Sequence, residues 1–81
     1  MTDQPILERI NDLAHEEEQL YQRAGDGGGL GTADQDRLQR IAIELDQCYD
    51  LLRQRQARRE FGEDPDQAHV RSADTVERYQ Q

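Results

Sequence analysis

From residue 5 to residue 24 the apolar side chains recur at intervals of four and three. Ile6, Ile10, Leu13, Leu20 and Ala24 lie on one line, with Glu17 standing where that line asks for an apolar residue. This is the seam of a heptad helix. Pro5 suits its first turn, where a missing N–H costs nothing, and Gly25 is a natural stop. A second seam runs through Leu38, Ile41, Leu45, Cys48 and Leu52, and its continuation reaches Arg55 and Arg59. Thr32-Ala33-Asp34-Gln35 matches a capping box, with Thr32 as the cap and Gln35 reaching back to it. The second helix is therefore expected from residue 33 to about 60, and GDGGGLGT (25–32) reads as the loop between the two.

Helices joined by a short glycine-rich loop fold back on each other. The expected fold is all-α: an antiparallel two-helix coiled-coil hairpin over 1–60, then an acidic tail over 61–81. The tail shows a helix start at Asp64-Pro65-Asp66-Gln67 and a short helix over about 73–80. Its Phe61, Val70, Val76 and Tyr79 are the residues able to pack back. The simplest register pairs Leu20 with Leu38, Glu17 with Ile41, Leu13 with Leu45, Ile10 with Cys48, and Ile6 with Leu52. In that register Leu7, Ala14 and Tyr21 share one flank with Ala42 and Tyr49, and this flank is apolar. The opposite flank brings Arg9 towards Glu44 and Glu16 towards Arg37, pairs that contribute little at a surface. A bare hairpin cannot cover its own apolar flank. The expected cover is a second copy, completing a four-helix bundle, or the tail. Ile43 and Leu51 point away from the seam and mark a second place to look for a partner.

Composition narrows the function classes. An 81-residue chain, 33% hydrophobic and 35% charged, sits near the border between folded and disordered, so sharp patterning must supply its order. A net charge of −8 argues against nucleic acid as a partner. The charge is uneven: residues 37–60 hold six arginines against four acids, and the segments on either side are acidic. The lone cysteine makes no internal disulfide. MTDQPILERI lacks the basic start and apolar run of a signal peptide, and no apolar segment reaches membrane-spanning length. The expected setting is cytoplasmic, with no membrane partner.

Candidate chemistry is thin. His15-Glu16-Glu17-Glu18-Gln19 lacks the second histidine of a zinc-protease helix, and His15 falls on the solvent side. GDGGGLGT lacks the lysine of a phosphate loop and is ringed by Asp26, Asp34 and Asp36, which repel phosphate. Cys48 sits in the seam, where a thiol behaves as a small hydrophobe. No catalytic residue, cofactor, metal or small-molecule substrate is expected. Glu17 has two readings: it reaches Arg37 or Arg40, or it anchors an ion network that specifies a dimer. Arg53, Arg55, Arg58 and Arg59 form a collar at the end of the second helix. There they suit the helix dipole and stand near Asp3, Glu63, Asp64 and Asp66.

ELDQCYDLLRQRQARRE, followed by GEDPDQAHVR and VERY, resembles a family of short actinobacterial proteins classed as a domain of unknown function. The resemblance spans nearly the whole chain. It implies a cytoplasmic bacterial setting and a tail that is part of the folded unit, and it carries over no catalytic residue.

The functional expectation is a non-catalytic interaction or regulatory protein, working through self-association or a protein partner. Its candidate residues are the flank Leu7, Ala14, Tyr21, Ala42 and Tyr49, the seam acid Glu17, and the four collar arginines. The alternative is a ribosome-, RNA- or RNA polymerase-associated factor, using the collar or the acidic hairpin tip at Asp26 and Asp34.

Overall fold

The computed structural model describes residues 2–25 and 29–79, the last two by backbone alone. Helix α1 spans Gln4–Arg23, α2 spans Thr32–Glu60, a single 3-10 turn spans Pro65–Gln67, and α3 spans Ala73–Tyr79. Among the described residues there is no strand. Helices α1 and α2 pack against each other as the periodicity predicts.

The start of α2 departs from the expected capping box. Gly31, in extended backbone, is the N-cap, and no side chain caps the helix. The Gln35 amide donates to the Gly31 carbonyl at 3.0 Å, which makes Thr32 the first helical residue. Its hydroxyl therefore sits one position too far along to accept from the first free N–H groups. The Gln35 side-chain amide instead donates to the Leu30 carbonyl at 3.4 Å.

The two heptad rows of each seam are buried unequally. The first row holds Ile6, Leu13, Leu20 and Ile41, all buried, then the half-buried Cys48, and continues into Arg55, which is buried. The second row holds Ile10, Glu17, Ala24, Leu38, Leu45 and Leu52, all only half-buried. The first row faces the opposing helix directly. The second is angled towards the apolar flank, where none of the described residues covers it. The molecule measures 52 × 25 × 15 Å. Its smallest dimension is little more than one helix with side chains, about 10–12 Å, so the hairpin is a single layer.

The opposite flank is closed by charge. Arg9 grips Glu44, and Arg37 grips Glu16, each through two guanidinium nitrogens. These are the pairs the simple register expects. Arg55 to Asp3, at 2.6 Å, anchors the same register at the far end.

The tail takes a different course from the expected cover of the apolar flank. Beyond α2 the chain reverses at Gly62, whose φ of 73° favours glycine. The Glu63 amide closes this turn on the Arg58 carbonyl at 2.7 Å. The tail then returns along α2. Helix α3 packs on α2 and, among the described residues, makes no contact with α1. It therefore lies outside the hairpin layer and leaves the flank open. Of the four tail residues expected to pack back, Val76 is buried at 1% exposure, while Phe61 and Val70 stay exposed at 79% and 59%. The Tyr79 side chain lies outside the described residues, as does the loop residue Asp26.

Candidate functional site

The apolar flank is the largest feature left without a partner. Leu7, Tyr21 and Tyr49 are 44%, 56% and 46% exposed, and Ala14 and Ala42 are exposed between them. The half-buried second row, with Ile10, Leu38, Leu45 and Leu52, opens onto the same side. Together they form a continuous face of two parallel stripes rather than scattered single residues. Glu17 lies within it, half-buried. The expected contact between Glu17 and Arg37 or Arg40 is not made. Arg37 is taken by Glu16, and among the described residues Glu17 has no ion pair.

Three of the four collar arginines are held by the chain's own acids. Arg55 is 2% exposed, and it donates to Asp3 at 2.6 Å, to Asp66 at 3.0 Å and to the Pro65 carbonyl at 3.3 Å. Arg59 donates to both carboxylate oxygens of Asp3, at 3.1 and 2.8 Å, and Arg58 pairs with Glu63 at 3.3 Å. Among the described residues Asp64 takes no arginine; its side chain accepts from the Asp66 amide at 2.9 Å and starts the 3-10 turn. The hydrogen bonds from Arg59 and Arg55 hold the Asp3 carboxyl down at about 2. Asp66 is lowered in the same direction by Arg55. This cluster ties the start of α1, the end of α2 and the tail together. Arg53 is exposed and, among the described residues, makes no ion pair.

The tail is held to α2 by a row of polar side chains that lie off the heptad seam. Gln54 donates to the His69 carbonyl at 2.8 Å and Gln47 to the Arg71 carbonyl at 3.2 Å. Asp50, 7% exposed, accepts from Gln54 at 2.8 Å and pairs with Arg71 at 3.5 Å. The only signal for this in the sequence is the three-and-four spacing of Gln47, Asp50 and Gln54. By itself that spacing reads as a wet face.

The returning tail also shapes an open apolar groove of about 300 Å³, in which Val70 faces Ile6, Cys48 and Leu51. Leu51 is thus half-buried, as is Ile43. Cys48 is half-buried, and its burial pushes the thiol above its ordinary value. His15 lies on the surface, with its Nε2 3.3 Å from the Gln19 amide nitrogen. Among the described residues no group of histidine, cysteine or acidic side chains is placed to hold a metal. Nor is any helix among them long and apolar enough to cross a membrane.

A family model for proteins of unknown function, DUF2630, matches residues 2–81. Uncharacterized proteins of Mycobacterium tuberculosis and Mycobacterium bovis are each 51% identical to this chain over 78 residues, covering 96% of it and 90% of theirs. No solved structure matches the chain. With the resemblance running from the first helix through the tail, the chain belongs to the DUF2630 family of proteins of unknown function.

Proposed function

We propose that this chain is a non-catalytic interaction module that docks through the flank carrying Leu7, Ala14, Tyr21, Ala42 and Tyr49. The observation that carries this reading is the course of the tail. Docked on the outer side of α2, it leaves the flank and the half-buried row beneath it exposed. A layer of helices with one uncovered apolar face is half of a packed domain. The collar supports an RNA reading less well, since Arg55, Arg58 and Arg59 are already paired and only Arg53 faces solvent unengaged. A paired Tyr21→Glu and Tyr49→Glu variant tests the docking face. It is expected to keep the wild-type helical circular dichroism while losing every stable complex that wild type forms, with itself or with a protein retained from a bacterial lysate. Unchanged complexes in that variant would sink the reading.

A further inference from the structure

Resting on the docking face just described, we infer that its occupant is a second copy of this chain. The two copies lie antiparallel about a two-fold axis that passes through the Ala14/Ala42 layer.

The face is self-complementary in size. In the register fixed by Asp3 and Arg55, its layers run Leu7 beside Tyr49, Ala14 beside Ala42, and Tyr21 beside Gln35. The order is bulky, small, bulky. A two-fold axis through the small layer sets alanine against alanine, where helices can approach closely. It sets Tyr21 of each copy on Leu7 of the other, and Tyr49 on Gln35. Each contact then occurs twice, as an isologous interface requires. The half-buried row, with Ile10, Leu38 and Leu45, becomes the centre of a four-helix bundle, and it carries Glu17 of each copy close to the axis at some cost in stability.

Charge selects the direction. One end of the hairpin carries Asp34 and Asp36, with Arg23 3.9 Å from Asp34; the other carries Arg53, while its Arg55, Arg58 and Arg59 are held by Asp3, Asp66 and Glu63. A parallel pair would stack the two acidic tips together. The antiparallel pair separates them and brings each tip to the end of its partner that carries Arg53. Arg53, exposed and without an ion pair among the described residues, lies on the flank side of α2. In this arrangement it reaches the partner's tip. Face size is adequate too. Two helices some 30 Å long present roughly 600 Å² per copy, so the pair buries about 1,200 Å², at the lower edge of specific interfaces.

The geometry is tested with cysteine pairs in the full chain, after Cys48→Ser removes its one thiol. Light scattering is expected to give twice the 9.4 kDa chain mass. Under mild oxidation, Ala14→Cys should cross-link to itself, and so should Ala42→Cys. A mixture of the two should give no Ala14–Ala42 cross-link, because like helices face each other. Tyr21→Glu should weaken the dimer at least ~10-fold, as for an aromatic anchor, and Arg53→Glu should weaken it several-fold. Cross-links found only in the mixture would overturn the antiparallel arrangement. A monomer mass at every concentration would overturn self-docking altogether. In that case, loss of a stoichiometric heterologous partner on Tyr21→Glu would leave the docking face standing and only its occupant wrong.

Discussion

Arg55 shows how much a single position can carry. It continues the buried row where the heptad asks for an apolar residue, and it survives burial by meeting Asp3, Asp66 and the Pro65 carbonyl. A buried guanidinium is tolerable only when its donors are satisfied. Arg55→Gln is therefore expected to lower the thermal midpoint by several degrees. Arg40→Gln, exposed and without an ion pair among the described residues, should leave it nearly unchanged. Equal effects from the two would show that the cluster has no structural weight. Glu17 is the converse case: a half-buried acid on an apolar face, with no ion pair among the described residues. Glu17→Leu replaces a half-buried acid with apolar area, and about 1 kcal/mol of stabilisation is expected, with tighter self-association. A weaker dimer in thermal melts and sedimentation would instead give Glu17 a specifying role. At this scale the sequence was legible wherever a residue's fate depends on its own helix pair. Leu13 and Ile41 fall in the core as their spacing predicts. Asp50 does not read as buried, because its burial depends on a tail whose path the heptad pattern does not encode.

Among the elements, α3 is the least self-sufficient. It has seven residues, far below the length at which an isolated helix persists in water. Its start is fixed by Ser72, whose hydroxyl accepts from the Thr75 amide at 3.2 Å. Its hold on α2 rests on Val76 and on the polar row Gln47, Asp50 and Gln54. Val76→Asp places a charge in that contact. It should release α3 while α1 and α2 remain, seen as fast amide exchange beyond residue 64 with protection retained near Leu13 and Ile41. Global loss of protection would mean that the tail is required for the hairpin itself. The last short helix was readable from the stretch Ser72 to Tyr79, and DPDQ marked a helix start that the structure makes a single 3-10 turn. Which surface they cover was not. Apolar residues alone pointed to the exposed flank, whereas the glutamine and aspartate side chains of α2 direct the tail backbone to the outer side.

For the whole molecule, acid should act on fold and assembly at different pH. Asp3 is held down to about 2 by Arg59 and Arg55, from an ordinary 3.8. Asp66, Glu16 and Glu44 are lowered by Arg55, Arg37 and Arg9 respectively. A carboxyl depressed in the folded state contributes stability that is fully present above its unfolded value. That contribution is lost as pH falls towards the folded one. In solutions dilute enough to keep the copies apart, the thermal midpoint should thus hold steady from pH 7 to about 4.5 and drop between about 4 and 2. Self-association follows the net charge instead. Each chain carries −8 at pH 7 and reaches neutrality near its pI of 4.5. Two such copies repel at neutral pH and lose that repulsion on the way to the pI. The proposed dimer should therefore tighten between pH 7 and 5, where the fold is unaffected, and dissociate only as the carboxylates paired with the arginines protonate below 4. Sedimentation and thermal melts across one pH series separate the two effects. A dimer that weakens steadily from pH 7 downwards would mean that neutral-pH ion pairs, rather than the apolar face, hold the copies together.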